Sequence, residues 1–146
     1  MSIVKMDTSH VSQVAELEKL CFSDPWSEKS IGSELENKLA HWLVSVKDGC
    51  VTGYVGSQTV MGETDMMNIA VHPDHRRQGI AEELVSALVS DLKQQGSHCL
   101  TLEVRASNLP AQKLYEKLGF SLVGRRPRYY HNPREDALIL RKEWEL

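Results

Sequence analysis

Residues 68–92 read NIAVHPDHRRQGIAEELVSALVSDL, and the residue types in that order suit them to hold a phosphate. An apolar run ends at His72-Pro73, the step Arg76-Arg77-Gln78-Gly79 follows, and an amphipathic helix begins directly after it. A strand that feeds a glycine turn at a helix N-terminus leaves unpaired backbone N–H groups beside the positive end of the helix dipole. That arrangement binds anions, phosphates above all. Gly79 lets the backbone approach a ligand closely, and Ala81 is too small to obstruct it. Arg76 and Arg77 can add charge-assisted bonds to a diphosphate or a ribose phosphate. Two familiar phosphate loops are absent: no GxxxxGK precedes a Ser or Thr, and no GxGxxG is followed by a distant acidic residue. On glycine and arginine alone, a basic turn closed by glycine for geometry is an equal reading.

Other candidate groups are weaker. His72 and His75 straddle Pro73 with Asp74 between them, but no further ligand stands at a usable spacing, so a solvated loop is favoured over a metal site. Cys21, Cys50 and Cys99 have no paired spacing and no base partner at a motif spacing. They read as reduced thiols of a cytoplasmic protein, and nothing demands a covalent acyl-enzyme.

The elements that must position the phosphate turn follow from periodicity. Val11, Val14, Leu17 and Leu20 share one helical face, with Thr8 or Ser9 as N-cap. Pro25 breaks that helix, and a short second one after Ser27 buries Ile31 and Leu35. Asp48-Gly49, flanked by β-branched and aromatic residues, predicts a hairpin of two antiparallel strands. Residues 62–65 read as the next turn, and Met66–Val71 as a third strand. The helix from about Gly79 to Gln95 carries Ile80, Leu84, Val85, Leu88, Val89 and Leu92 as one apolar stripe, and Gly96 ends it. Cys99–Val104 alternates as a strand, with Leu100, Leu102 and Val104 on one face and Thr101 and Glu103 on the other. A shorter helix follows, with Ser107 or Asn108 as cap, Pro110 in its first turn and Gly119 past its end. FSLVGRR and EDALILRK finish the chain as strands around a Pro- and Tyr-containing loop.

The predicted order is α α β β β α β α β β, with residues 66–104 forming a right-handed crossover between two parallel strands. The fold class is α/β (α+β): a mixed, mostly antiparallel sheet with one central parallel pair and helices on both faces. A chain of 146 residues suits one domain, residues 1–146, and the composition is that of a soluble globular protein. A formal charge of −3 argues against broad nucleic-acid binding. No signal peptide or membrane-length apolar run is seen, so no membrane partner is expected.

The whole pattern is more specific than its parts. Arg76-x-x-Gly79-x-Ala81, following a strand and opening an amphipathic helix, resembles the acetyl-CoA signature of the GNAT superfamily of N-acetyltransferases, and the element order matches that superfamily over essentially the whole chain. FSDPWSEKS, LEVRASNLPAQKLYEKLGF and RPRYYHNPREDALIL together resemble the bacterial ribosomal-protein-alanine N-acetyltransferases of the RimI type, although the middle segment is shared with related protein N-terminal acetyltransferases.

That resemblance implies acetyl-CoA as co-substrate, no metal, and a protein N-terminus as acceptor, most specifically the N-terminal alanine of a small-subunit ribosomal protein. It places Ile69, Ala70 and Val71 along the acetyl and pantetheine arm through main-chain groups. Arg77, Gln78, Gly79, Ile80, Ala81 and Glu82, with Arg76, would wrap the pyrophosphate, and Asn108 would bond the cofactor further along. Glu103 matches the family's general base and Tyr115 its general acid, while Trp26, Tyr129 and Tyr130 become walls for a peptide N-terminus. The chemistry agrees. A protein α-amino group has a pKa of about 7.7–8.0, so a carboxylate acting directly or through one water suffices as base. The departing thiolate, with a conjugate pKa of about 8.5, can take a hydrogen bond or a proton from a tyrosine hydroxyl near the sulfur. A lysine side chain, a polyamine or a small amine is an alternative acceptor, and a non-catalytic acetyl-CoA-binding module is a further one. Without the resemblance, Glu103 is an ordinary solvated strand residue, Tyr115 a half-buried core tyrosine, Asn108 only a helix cap, and the three aromatics ordinary packing. Glu135 and Asp136 either draw a basic peptide or keep the last strand soluble.

Overall fold

The computed structural model describes all 146 residues. Its elements are β1 (Ser2–Lys5), α1 (Val11–Cys21), α2 (Glu28–Ser33), β2 (Ala40–Lys47), β3 (Cys50–Val60), β4 (Glu63–Val71), α3 (Ile80–Gln94), β5 (Cys99–Arg105), α4 (Leu109–Lys117), β6 (Ser121–Tyr130) and β7 (Glu135–Glu143). One seven-stranded sheet runs in the order β1-β2-β3-β4-β5-β7-β6. Only β4 and β5 are parallel. The mixed sheet expected from the sequence is present, with α1 and α2 on one face and α3 and α4 on the other.

Three local expectations are corrected. Ser2–Lys5 forms an additional edge strand by pairing with β2 from Ser2↔Val46 to Lys5↔Leu43. Four residues carry too little periodicity to announce a strand, and the partner decides. Helix α1 starts one residue later than predicted, with His10 at the N-cap, because Asp7 ties up Ser9 through its N–H at 2.8 Å. Its buried stripe is Val14, Ala15, Leu17 and Glu18, and Leu20 is 59% exposed. The hairpin turn before β4 falls on Met61-Gly62, both with positive φ (51° and 83°), so Glu63 is already in the strand. A two-residue turn with positive φ at both centres matches the strand twist, and glycine supplies the second centre without strain.

The stripe on α3 behaves as the periodicity predicts: Ile80, Leu84, Val85, Leu88, Val89 and Leu92 are all buried. They pack with Leu100, Leu102, Val104, Tyr115, Phe120 and Leu140. On the opposite face Met6, Val14, Leu17, Ile31, Val44, Tyr54 and Trp42 form a second core under α1 and α2. Trp42 stacks on Tyr54 at 5.8 Å and meets Trp26 edge-on at 5.5 Å. A Cβ added at Gly56 would lie 2.4 Å from the Trp42 ring, which those two neighbours hold in place. Gly56→Ala is therefore expected to destabilise the fold by about 2–3 kcal/mol through overpacking. Urea unfolding of the two proteins checks this as a lowered midpoint at constant slope.

Parallel pairing between β4 and β5 is confined to Glu63↔Cys99, Thr64↔Leu100 and Asp65↔Thr101. Just beyond it, β4 shifts register against β3 opposite Gly56/Ser57, and Met67 has no partner there. The two strands separate from that point, leaving a gap at their C-terminal ends. Ligands bind in such a crevice in open α/β sheets.

Candidate active site

The wall of this gap is the free edge of β4. The His72 N–H bonds the Thr52 carbonyl of β3 at 2.8 Å. Strand alternation then turns the N–H and C=O groups of Ile69 and Val71 away from β3 and into the gap, while Ala70 faces β3. The Arg76 guanidinium donates to the Val71 carbonyl at 3.4 Å, and the Ile69 N–H is 3.2 Å from its neighbour's Asn68 Oδ1. The Ile69 N–H and the Val71 C=O are thus already engaged by side chains, and the alternation directs the Ile69 C=O and the Val71 N–H into the gap beside them.

Past Val71 the chain makes a short turn, Pro73–His75, fixed by the Asp74 N–H donating to His72 Nδ1 at 3.1 Å. His72 and His75 lie edge-to-face at 5.7 Å, and no group of three His, Cys, Asp or Glu side chains converges anywhere in the chain. Arg77 (φ 64°) and Gly79 (φ 76°) both take left-handed backbone, which curls residues 76–79 ahead of α3. Arg76, Arg77, Gln78 and Gly79 are exposed. The first helical bond of α3 is Glu83 N–H to Gly79 C=O at 3.0 Å, so the N–H groups of Ile80, Ala81 and Glu82 have no intrahelical partner. Ile80 buries its side chain in the core, anchoring the turn from behind. The Glu82 carboxylate is paired with Lys117 on α4 at 3.2 Å and offers only its main chain to an anion. A Cβ built at Gly79 meets nothing within 4 Å, so the glycine serves backbone conformation and an open approach rather than packing. A diphosphate fits this loop in charge and in donor geometry. Asn108 caps α4 by accepting from the Ala111 N–H at 3.2 Å with its oxygen, which leaves its amide NH2 for a ligand.

Glu103 is the first side chain on its face of β5 beyond Thr101, the last residue paired with β4. It therefore stands at the mouth of the gap. Arg126 of β6 pairs with it at 3.2 Å. The Tyr129 hydroxyl is held in its protonated form, chiefly by interaction with the Glu103 carboxylate and then by burial and that carboxylate's charge. Burial, followed by the same charge, pushes the Tyr130 pKa up to about 12. Tyr115 is 5% exposed, edge-on to Phe120 at 5.4 Å. Its pKa is also pushed to about 12, by burial first and then by Tyr130. Its hydroxyl is thus neutral at neutral pH and able to donate a hydrogen bond. The fold brings Glu103, Tyr115, Tyr129 and Tyr130 together from three elements.

The sequence reading missed the residues that hold this group. Arg105 lies two residues beyond Glu103 on the same face. Its guanidinium donates to the carbonyls of His131 (3.2 Å) and Pro133 (3.0 Å), pairs with Glu135 (3.2 Å) and stacks on Tyr130 at 4.3 Å. Glu135 also accepts from the N–H and hydroxyl of Ser107, which with Arg105 hold its carboxyl below the usual range. Asp136 is likewise lowered, by the Arg128 N–H and the Arg125 guanidinium. Both acids are thus engaged at the end of the β6–β7 hairpin, where Tyr129 and Tyr130 lie in β6 and not in the loop expected from the sequence. Trp26, between α1 and α2, has its ring against Trp42, and its main-chain N–H donates to Glu18 at 2.8 Å. Glu18 also accepts from Asn68 Nδ2 (2.6 Å) and from the Tyr54 hydroxyl. Burial raises its pKa, and the Trp26 N–H and Asn68 partly offset that. An acidic residue inside an amphipathic helix gives no sequence signal of being buried.

A glycine turn opening α3, parallel strands that part at their C-terminal ends, and Glu103 at the mouth of that gap agree with one family of acyltransferases. The model of the GNAT acetyltransferase family matches residues 11–120, and the chain belongs to that family. It is 41% identical over 140 residues to a Bacillus subtilis (strain 168) protein provisionally named ribosomal protein bS18-alanine N-acetyltransferase, covering 95% of this chain and 93% of that one. It is 35% identical over 141 residues to the Escherichia coli (strain K12) ribosomal protein bS18-alanine N-acetyltransferase, covering 95% of each. The crystal structure of the ribosomal-protein-S18-alanine N-acetyltransferase from Escherichia coli superposes with a TM-score of 0.91 at 33% identity, over 99% of this chain and 94% of that one. Enzymes of this family take their acetyl group from acetyl-CoA. No helix of the chain is long and apolar enough to cross a membrane.

Proposed function

We propose that this protein transfers the acetyl group of acetyl-CoA to the α-amino group of a protein N-terminus, its acceptor being the N-terminal alanine of a small-subunit ribosomal protein in the cytoplasm. The observation that carries this reading is the position of Glu103, the first residue on its face of β5 beyond the pairing with β4, with the free edge of β4 across the gap. The naming of the relatives for alanine acetylation of bS18 supports the acceptor class.

The turn at residues 76–82 holds the diphosphate through main-chain N–H groups and the Arg76 and Arg77 side chains. The Ile69 and Val71 edge lines up the arm that carries the acetyl group, and a gap-facing N–H there polarises the thioester carbonyl. Trp26 on one side and Tyr129 and Tyr130 on the other guide the peptide N-terminus to Glu103. The carboxylate accepts the ammonium proton, directly or through one water, and the freed amine attacks the carbonyl carbon. Tyr115 supplies a hydrogen bond or proton to the leaving thiolate. Both substrates are bound when attack occurs, so no group on the protein is acylated.

The test is a set of peptides that differ only in their first residue, assayed for acetyl-CoA consumption beside an N-blocked peptide containing lysine. The largest kcat/KM is expected with alanine first, and the blocked peptide should be inert. Equal turnover of the blocked peptide would overturn the reading.

A further inference from the structure

Glu18 is a buried acid that the mechanism above does not use, yet it joins both sides of the site. It is 1% exposed, and its carboxylate accepts from the Trp26 N–H at 2.8 Å, from Asn68 Nδ2 at 2.6 Å and from the Tyr54 hydroxyl. Trp26 belongs to the α1–α2 loop, the proposed acceptor wall. Asn68 belongs to β4, immediately before the edge proposed to hold the acetyl arm. Core packing alone would be served as well by an apolar side chain, since isolated buried charge is unfavourable. A carboxylate differs from such a side chain in accepting from several directions at once. Because it only accepts, Asn68 must turn its NH2 to Glu18, and this leaves Asn68 Oδ1 on the gap-facing Ile69 N–H at 3.2 Å. One carboxylate thereby sets the position of the acceptor loop and the orientation of the amide beside the cofactor strand.

We propose that Glu18 is a positioning residue for acetyl transfer, holding the acceptor wall at Trp26 in fixed register with the cofactor strand at Asn68. This rests on the N-terminal acetyltransferase reading given above. Tyr54 provides the contrast, because its hydroxyl binds the same carboxylate but belongs to neither wall. An amide at position 18 offers one acceptor oxygen and places an NH2 against groups that are themselves donors.

The experiment compares wild type with Glu18→Gln, Asn68→Ala, the double variant and Tyr54→Phe. It measures peptide KM and kcat, the acetyl-CoA Kd and the exchange rate of the Trp26 amide. Glu18→Gln is expected to raise the peptide KM at least about tenfold and to speed Trp26 exchange at least about tenfold, with the acetyl-CoA Kd within about threefold. The double variant should be no worse than Glu18→Gln alone, since the two residues act through one contact. Tyr54→Phe should stay within about threefold in every readout. The proposal is overturned if Glu18→Gln leaves the KM and Trp26 exchange unchanged, or if Tyr54→Phe loses as much as Glu18→Gln. Should Glu18→Gln fail to fold, Asn68→Ala alone decides, by raising the peptide KM about tenfold or leaving it unchanged. Absence of N-terminal acetylation by wild type would refute the functional reading, while Trp26 exchange would still report whether Glu18 fixes the loop.

Discussion

Glu103→Gln is expected to lower kcat toward an alanine N-terminus by about 10²–10⁴-fold at neutral pH, the usual worth of a positioned general base. The change preserves shape and removes the basicity together with the charge that pairs with Arg126, so acetyl-CoA binding, proposed for Ile69, Ala70, Val71, residues 76–82 and Asn108, should persist. A nucleophile must be a neutral amine, and near pH 7 most α-amino groups with a pKa of about 7.7–8.0 are still protonated. The variant can use only the fraction that is already neutral. Its residual rate should therefore climb steeply as pH rises through the amine pKa, narrowing the gap to wild type. A pH series of kcat for both proteins, with the acetyl-CoA Kd measured in parallel, checks this. Unchanged turnover in the variant would remove Glu103 from the role of base.

Gly79→Val should act on the other substrate. The residue sits at φ 76° with nothing within 4 Å of an added Cβ, so no neighbour in the fold objects to a side chain. The conformation does, because left-handed backbone costs a non-glycine residue about 1–2 kcal/mol and a β-branched one more. Relaxing that strain swings the free N–H groups away from a common point. The isopropyl group then stands where the diphosphate approaches. Together these should raise the acetyl-CoA Kd about a hundredfold, equal to about 2.7 kcal/mol. The melting temperature should change little by comparison, since the turn is exposed. Gly79→Ala, which brings mainly the strain, should cost about tenfold. Calorimetric titration of acetyl-CoA into the three proteins separates them.

The sequence made the cofactor side legible because its signals are local. The α3 stripe, the positive-φ glycine and the alternation of β5 each depend on residues within a few positions of one another, and all appear as read. The acceptor side depends on register between distant segments. Arg126 reaches Glu103 only because β6 pairs with β7 through two irregular steps, at Leu122/Gly124 and at Arg126/Tyr130. No periodicity encodes such shifts. Glu18 and Leu20 show the same limit within one helix. Hydrophobicity ranks Leu20 as the inward residue, whereas three donors from Trp26, Tyr54 and Asn68 make a pocket for Glu18. Those donors come from three other elements, and a helical pattern cannot anticipate them. Arg105 was closer to view, since it shares its face with Glu103 at the next alternate position.

The central claim is that this site delivers acetyl to an α-amino group. Tandem mass spectrometry of one peptide that carries both an N-terminal alanine and an internal lysine, after incubation with the protein and acetyl-CoA, tests it most directly. A single acetyl group on the alanine nitrogen is the predicted product. Acetyl on the lysine side chain, with the N-terminus untouched, would contradict the claim.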